Sequence, residues 1–474
     1  SQLAVDLSLC ILCSGYQLID SELAQVVPGR WESRAQPPRG LRRREKQAGM
    51  FLRIPGFDGF EVVLFIIEWL QYIVAANVIA VALARKGAGR MLVVCLIPLA
   101  VVGLIGAVTF GSREAAKERG FSLDKPSVRQ AVEIYIEKGE GPNGENLEEI
   151  LEQDKFAPTF GMEELSYLGR DLLWHTLLHL DAHNAENIPV AYNKGNDWFR
   201  ATLGEPMIYT SGIYRNGNES LKEAQEYKLD YVAQAIDLKA EDNVLDIGCG
   251  WGRLLNHFAT KYGAKVTGIS LSEEQVKFGR ELNKDVSDKV NILLHDFMTV
   301  DLKPKSFKKI TSLEMAEHVG IKRYTSFLRK VHSLLADDGT LYFQVAGLRR
   351  EWQYEDLCWG MFMGEHVFPG ADASCNMGWV TQQLERAGFE VQRVSNLGSH
   401  YSRTLAQWLE EWQAHKSEMV EKYGLRSFRR WEVFLRWSVR VARQGSSTVF
   451  MITATKHGQE PARLDAQRRL APQL

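Results

Sequence analysis

The sequence predicts an α/β fold, a doubly wound sheet of seven strands, preceded by a hairpin of two transmembrane helices. Three observations carry this prediction. Short apolar runs rich in β-branched residues alternate with amphipathic segments of helical period along residues 243–455. A turn with three glycines at 248–252 follows the first apolar run. Two long apolar spans, 60–84 and 91–110, come before the alternating region.

The two apolar spans predict the membrane hairpin because about 20 apolar residues cross the ~30 Å hydrocarbon core of a bilayer. The first span contains Glu68, Gln71 and Asn77, which should face the partner helix or the headgroups. The alternative is a pair of buried helices in a soluble domain. Basic residues ahead of the first span favour cytosolic termini, and therefore a multi-pass membrane protein whose alternating α/β region is cytosolic.

Domain boundaries follow from these spans and from composition. We expect a poorly ordered extension at 1–49, the hairpin region at 50–112, an amphipathic connector at 113–187, the α/β domain at 188–460 and a disordered tail at 461–474. The 45% hydrophobic and 24% charged content is typical of globular domains. The net charge of −2 gives no reason to expect nucleic acid as a partner. Six scattered cysteines predict neither a disulfide framework nor a metal site, and they indicate a reducing compartment.

The elements of the α/β domain can be predicted in order. Strands are expected at 243–247, 264–269, 290–295, 309–314, 340–346, 389–395 and 447–455. Helices are expected at 252–262, 272–283, 322–335, 377–387 and 403–422. Gly339, Gly388 and Gly424 fall where helices or turns should stop. In such a sheet a ligand binds at the carboxyl ends of the strands, beside the point where the strand order reverses.

The first strand and the turn after it carry the strongest functional signal. The strand ends in Asp246, and the glycines Gly248, Gly250 and Gly252 follow at a spacing of two. Glycine lets a backbone approach a ligand closely, and the helix N-terminus that follows offers free N–H groups. A dinucleotide site requires G-x-G-x-x-G and an acid about 20 residues further on. Here the third glycine comes one residue early and the second strand ends at Ser270, which argues against a nicotinamide oxidoreductase.

This D-x-G-x-G-x-G turn resembles motif I of class I methyltransferases, Rossmann-like enzymes that bind S-adenosylmethionine. The resemblance implies that Asp246 orients the amino-acid part of the cofactor and that the glycines wrap its methionine portion. Ser270 stands where these enzymes place an acid for the ribose hydroxyls. Asp296 would accept a hydrogen bond from the adenine amino group, with a solvated strand end as the alternative. Ser272 and Gln275 match an S-x-x-Q capping box, so Gln275 is either a cofactor ligand or part of the cap alone.

Longer stretches resemble the cyclopropane fatty acid synthase family over about residues 188–456. They are 191–199, 207–214, 268–275, 314–320 and 368–370. Within that family, 312–320, 346–356, 368–374 and 443–446 look like fungal-type sphingolipid C9-methyltransferases, which also carry two membrane spans ahead of the catalytic domain. The resemblance implies an enzyme of the endoplasmic reticulum with helical lipid-binding insertions, acting on a membrane lipid, ceramide.

The reaction that this resemblance implies is methyl transfer to an isolated alkene of the lipid chain. A carbocation forms, and loss of a proton from the adjacent chain carbon gives a methyl-branched alkene, whereas loss from the new methyl gives a cyclopropane. The implied product is methylated at C9 of the 8-ene of a sphingadienine base. The alternatives are a cyclopropane fatty acyl phospholipid synthase and a catalytically inactive lipid- or cofactor-binding scaffold. The headgroup and the oligomeric state stay open.

The family's basic site is a bicarbonate ion held by Cys, Glu, His and Tyr side chains and a backbone amide. Glu317 and Tyr401 match the Glu and the Tyr, and Leu313 matches the backbone position. Ser211 and Gln344 stand in place of the Cys and the His, so bicarbonate is doubtful as a cofactor. We hypothesise that these two changes redirect proton loss from the new methyl group to the chain.

Glu317 is the first candidate base, and His318 is the second because an unperturbed histidine titrates near neutrality. A packing or helix-cap role is the alternative for His318. Aromatic faces can hold a sulfonium or a carbocation. The candidates are Tyr209, which borders the predicted cofactor site, and Tyr214, Trp198, Phe199 and Tyr401, with core packing as the alternative for Trp198 and Phe199. The Trp- and Arg-rich helices at 403–440 are expected to line the lipid access route and to meet headgroups, with ordinary packing as the alternative.

Overall fold

The computed structural model of the protein describes residues 128–152, 192, 194–350, 354–368 and 375–458. The predicted extension at 1–49, the hairpin at 50–112, most of the connector and the tail at 461–474 lie outside the described residues. Among the helices that are described, none is both long enough and apolar enough to span a bilayer.

One seven-stranded sheet forms the centre of the described part of the chain. Its strands are β1 Asn243–Ile247, β2 Lys265–Ser270, β3 Val290–Leu294, β4 Phe307–Leu313, β5 Leu335–Leu348, β6 Phe389–Asn396 and β7 Ser447–Lys456. They lie in the order β3-β2-β1-β4-β5-β7-β6, and β7 runs antiparallel to both neighbours while the other pairs are parallel. The predicted doubly wound sheet is confirmed, and its order reverses between β1 and β4, where ligands bind in such folds.

Helices flank the strands in the predicted alternation. They are α1 Val128–Lys138, α2 Leu147–Leu151, α3 Asn196–Leu203, α4 Leu221–Ala235, α5 Arg253–Tyr262, α6 Glu273–Leu282, α7 Ile321–Leu334, α8 Tyr354–His366, α9 Met377–Arg386, α10 Gly398–Ala414, α11 Lys416–Tyr423 and α12 Leu425–Arg443. The helices expected at 252–262, 272–283, 322–335 and 377–387 match α5, α6, α7 and α9 to within one residue at each end. The single helix expected at 403–422 is wrong in extent, because His415 leaves helical geometry (φ −94°, ψ 13°) and separates α10 from α11.

Gly339 lies inside β5, although it was expected to mark a stop. A Cβ at this position would stand 2.6 Å from Leu335 Cδ1 and 2.8 Å from the Lys308 carbonyl oxygen. The glycine therefore permits a close approach of β5 to its neighbour. Gly388 comes directly before β6 and Gly424 separates α11 from α12, as expected.

The tryptophans of α10 and α12 form a buried core. Trp408, Trp412, Trp431 and Trp437 are each at most 3% exposed. The Trp412 ring stacks on Phe428 with 5.1 Å between centroids, while Arg440 remains at the rim and pairs with Glu355 at 2.7 Å. The expectation that these aromatic side chains meet lipid headgroups is therefore wrong, because the apolar face of α12 packs against α10 and the rest of the core.

Candidate active site

A cavity of about 190 Å³ lies at the carboxyl ends of β1 to β4. Seven predicted cofactor residues line it, namely Tyr209, Asp246, Gly248, Gly250, Ser270, Gln275 and Asp296. Gly252 is not part of its wall. It precedes α5 in a left-handed conformation, and a Cβ there would stand 3.3 Å from the Gly279 Cα of α6. The predicted cofactor residues other than Gly252 therefore line one cavity. Their individual contacts with a cofactor stay predictions.

Asp246 supplies a buried carboxylate at the end of β1. It is 3% exposed, and its Oδ1 accepts a hydrogen bond of 2.7 Å from Thr311 Oγ1 on β4. Burial raises the pKa of Asp246 to about 6, while Thr311 and the charge of Lys228 lower it. The group is therefore mainly ionised at neutral pH and can face a cationic part of a ligand.

The glycines after β1 show that the wall fits a ligand lying against the backbone. Gly248 and Gly250 have φ of +81° and +53°, a region that residues with a Cβ rarely adopt. A Cβ at Gly248 would stand 2.5 Å from Met315 Cγ. A Cβ at Gly250 would meet no heavy atom of the described residues within 4 Å. Gly250 also lines the cavity, so the backbone of this turn is open to a ligand.

The turn after β2 closes the neighbouring wall. Ser272 Oγ accepts from the Gln275 N–H at 3.4 Å, so the predicted helix cap is present. The Gln275 side chain does not complete the capping box, because its Oε1 accepts a 2.8 Å hydrogen bond from Ser270 Oγ. Half-buried Asp296 closes the end of β3, with its Oδ1 accepting from the Met298 N–H at 2.8 Å. The side chains of Ser270, Gln275 and Asp296 thus present a polar surface to the cavity.

Glu314 is a cavity residue that the sequence reasoning missed. It directly follows β4 with a φ of +50°, which is uncommon for a residue other than glycine. Its Oε1 accepts hydrogen bonds from the Ser211 N–H at 2.8 Å and from Gln344 Nε2 at 2.6 Å. A usable signal was present, since Glu314 opens the stretch 314–320 and stands three residues before Glu317.

Ser211 and Gln344 do not fit a bicarbonate site. Both side chains are fully buried, neither lines the cavity, and both residues donate to the Glu314 carboxylate. The Gln344 amide is held in turn by the Tyr342 hydroxyl, which donates to its Oε1 at 3.1 Å. The Gln344 amide and the Ser211 N–H are thus taken up by a carboxylate of the protein, and the Ser211 hydroxyl donates to the Gly212 carbonyl oxygen at 3.2 Å, so none of these donors is directed at a bicarbonate ion.

Lys228 of α4 is a second cavity residue that the sequence reasoning missed. It is 1% exposed, and its Nζ donates to Thr210 Oγ1 at 2.6 Å. Burial lowers the pKa of Lys228 to about 8, while Glu314 and Asp246 raise it. No local pattern identifies this residue, because it is one lysine in an ordinary amphipathic helix and only the fold places it between two carboxylates.

Glu317 and His318 follow Glu314 on the same loop. Glu317 Oε1 accepts from the Ala346 N–H, and its buried Oε2 has no partner among the described residues. Burial raises the pKa of Glu317 to about 8, with a further contribution from Glu314. Burial lowers the pKa of His318 to about 4, and its Nε2 lies 3.0 Å from the Tyr192 hydroxyl. His318 lines the cavity and Glu317 does not.

Tyr209 is the predicted aromatic residue that faces the cavity. Its ring packs on Tyr192, Phe199 and Trp408, with centroid distances of 6.3, 5.8 and 5.1 Å. Burial raises the pKa of Tyr401, and the charges of Glu314 and Glu317 raise it further. Tyr209 therefore presents an aromatic surface to the cavity that Glu314 also lines.

The other three aromatic candidates lie elsewhere. Trp198 and Phe199 are 3% and 0% exposed and belong to the core, so the packing alternative is confirmed for both. The Tyr214 hydroxyl donates to Gln407 Oε1 at 2.9 Å, and its ring stacks on His400. Tyr214 is not in the cavity wall.

Comparison with known proteins assigns the family. The sequence model of the mycolic acid cyclopropane synthetase family matches residues 179–452. The chain belongs to this family. Among curated relatives, sphingolipid C9-methyltransferase 2 of Gibberella zeae is 40% identical over 361 residues, which is 74% of this chain and 68% of the relative. The sphingolipid C9-methyltransferase of Candida albicans is 40% identical over 356 residues, 72% of this chain and 68% of the relative.

Solved structures of the family share the fold. Cyclopropane synthase MmaA2 from Mycobacterium tuberculosis is 26% identical with a TM-score of 0.55, covering 57% of this chain and 98% of that chain. Mycolic acid cyclopropane synthase CmaA1, complexed with SAH and CTAB, is 26% identical with a TM-score of 0.55, covering 59% and 100%. The seven-stranded sheet is thus the methyltransferase fold of the cyclopropane synthases.

Proposed function

We propose that this protein transfers the methyl group of S-adenosylmethionine to C9 of the 8-ene of a sphingoid base in ceramide. The observation that carries the proposal is the placement of two acidic side chains, half-buried Glu314 and buried Glu317, at a cavity built from the D-x-G-x-G-x-G turn. Membership of the family and the similarity to proteins named sphingolipid C9-methyltransferases support the same reaction and substrate class.

The cavity residues fit S-adenosylmethionine. Asp246 offers a buried anion for an ammonium group, Gly250 leaves open space along the backbone, and Asp296 stands at the far wall. The related CmaA1 was crystallised with SAH, which is the cofactor without its methyl group. When bound, the cofactor supplies an electrophilic methyl group on a positively charged sulfur.

The residues around the cavity then manage the positive charge on the lipid. Addition of a methyl to C9 uses the alkene electrons and leaves a cation at C8. The aromatic face of Tyr209 can stabilise such a charge by up to about 2 kcal/mol when water is excluded. Loss of the hydrogen on C9 restores the double bond, so the site also needs a proton acceptor, for which Glu317 and His318 are the sequence-predicted candidates.

Membrane attachment completes the proposal, because the substrate resides in a bilayer. The apolar spans 60–84 and 91–110 support a multi-pass protein, and the basic residues ahead of the first span support a cytosolic catalytic domain. The endoplasmic reticulum is the location that the resemblance to sphingolipid C9-methyltransferases implies. The test is fractionation of cells expressing the full chain. Retention in the membrane pellet after alkaline carbonate extraction is expected, and release into the supernatant would contradict an integral location.

The reaction is tested in a host that makes 8-unsaturated ceramide and has no C9-methyltransferase of its own. Mass spectrometry of the long-chain bases should find one added CH₂ group, and ozone should still cleave the product at its double bond, as it cannot cleave a cyclopropane. Asp246→Ala should give no product, whereas Asp288→Ala, the same change at an exposed carboxylate, should give the wild-type amount.

Each other outcome identifies an alternative. A ring in phospholipid acyl chains would indicate a cyclopropane fatty acyl phospholipid synthase instead. The absence of labelled methyl from every lipid, with retained affinity for SAH, would indicate an inactive scaffold.

A further inference from the structure

The two carboxylates after β4 differ in what they can touch. Glu314 lies in the cavity wall, whereas Glu317 does not and points its Oε1 at the Ala346 N–H of β5. A substrate carbon held in this cavity therefore meets Glu314 before it meets Glu317.

The Glu314 carboxylate is fixed through one oxygen and left open at the other. Its Oε1 accepts from both the Ser211 N–H and Gln344 Nε2, and the Glu314 N–H itself donates to the Gln344 carbonyl oxygen at 2.7 Å. Within the described part of the chain, no hydrogen bond ends on Glu314 Oε2. The backbone φ of +50° adds local strain, which proteins retain mainly where function requires a particular geometry.

We propose that Glu314 is the catalytic base, whose Oε2 accepts the proton that C9 of the lipid loses after methylation. This inference rests on the proposed methyl transfer to an alkene. The electron pair of the C9–H bond restores the C8=C9 double bond and cancels the charge on C8, and the carboxylate becomes a carboxylic acid. The acid returns its proton to water when the product leaves.

The charges around Glu314 suit this role. Burial raises the pKa of Glu314, while the hydrogen bonds from Ser211 and Gln344 and the charge of Lys228 oppose that rise and favour the carboxylate form. Glu317, with its pKa raised to about 8, remains a neutral acid near neutral pH. His318, with its pKa lowered to about 4, is a weak base and carries no negative charge that could stabilise a cation.

The experiment compares the full-length Glu314→Gln and Glu317→Gln variants with wild type, using SAH affinity by calorimetry and single-turnover rates on an 8-unsaturated ceramide. A general base contributes about 10²–10⁴-fold. Glu314→Gln should bind SAH within about threefold of wild type and lose at least about 100-fold in turnover, while Glu317→Gln loses less. In Glu314→Gly, which leaves room for a small acid, added formate should restore turnover at least about tenfold, and formate should not help Glu317→Gly.

The outcomes separate the two proposals. Glu314→Gln turnover within about tenfold of wild type, or formate rescue of Glu317→Gly but not of Glu314→Gly, would overturn the assignment of the base while leaving the methyl transfer intact. A wild-type protein that binds SAH and methylates no unsaturated ceramide would overturn the proposed function, and the role of Glu314 with it. Should Glu314→Gln lose SAH affinity, formate rescue of Glu314→Gly decides, because only a folded protein can be rescued.

Discussion

Alanine substitution at Gly248 and Gly250 separates the stability of the glycine turn from its contact with the cofactor. Both glycines have positive φ, so a Cβ costs about 1–2 kcal/mol at either position. At Gly248 the new methyl would also stand 2.5 Å from Met315 Cγ, and overpacking of this kind adds about 1–3 kcal/mol. At Gly250 no atom of the described residues lies within 4 Å, so no such cost arises.

Two different losses follow. Gly248→Ala should be less stable than Gly250→Ala by about 1–3 kcal/mol, which for a domain of this size corresponds to a difference in Tm of roughly 2–12 °C. Gly250→Ala should instead weaken SAH binding about tenfold, or about 1.4 kcal/mol, because its methyl occupies space in the cavity wall.

The assays are thermal unfolding followed by tryptophan fluorescence, and calorimetric titration of the full-length chain with SAH. Equal Tm values for the two variants would refute the steric argument at Gly248. Undiminished SAH affinity of Gly250→Ala would show that the cofactor does not lie against this turn.

Three further predictions concern charge and packing. Lys228→Met removes the cation that lowers the pKa of Asp246, so the fall in SAH affinity on acidification should begin at a higher pH than in wild type. Calorimetry across pH 5–8 measures this shift, and an unchanged pH profile would contradict the coupling of Lys228 to Asp246. Burial raises the pKa of Glu317 from its ordinary 4.5 to about 8, so the folded state retains a proton that the unfolded state releases, and stability falls as pH rises through this window. Glu317→Gln should flatten that dependence of Tm on pH, and a slope as steep as that of wild type would contradict it. Trp431→Ala, at a side chain 3% exposed, should cost about 3–5 kcal/mol of stability, and a Tm within 2 °C of wild type, measured by thermal unfolding, would contradict its burial.

Much of the fold could be predicted because it depends on sequence patterns that span only a few residues. The apolar run before Asp246, the glycine spacing after it and the 3.6-residue period of α5 all lie within a few residues of one another. Each pattern specifies one element, and the alternation of elements specifies a doubly wound sheet whose ligand site lies at the carboxyl ends of its strands. The predicted cofactor residues therefore converge on one cavity, with Gly252 as the exception because its tight packing on α6 serves the turn.

It was harder to predict whether the apolar face of an amphipathic helix meets lipid or the protein core. A helix rich in Trp and Arg satisfies the pattern of a membrane-surface helix and that of a core helix equally well. Only the presence of α10 against α12 decides between them, and it buries Trp412 and Trp431.

The sequence by itself determined the sheet, the position of the ligand cavity and the family resemblance, because these depend on residues that are neighbours in the chain or one helical turn apart. Only the tertiary structure decided the acidic site. Ser211 and Glu314 are 103 positions apart, and Glu314 and Gln344 are 30 apart, yet hydrogen bonds join them. The strand order brings β4 beside β5, and the segment before α4 places Ser211 next to the end of β4. No spacing along the chain encodes that arrangement.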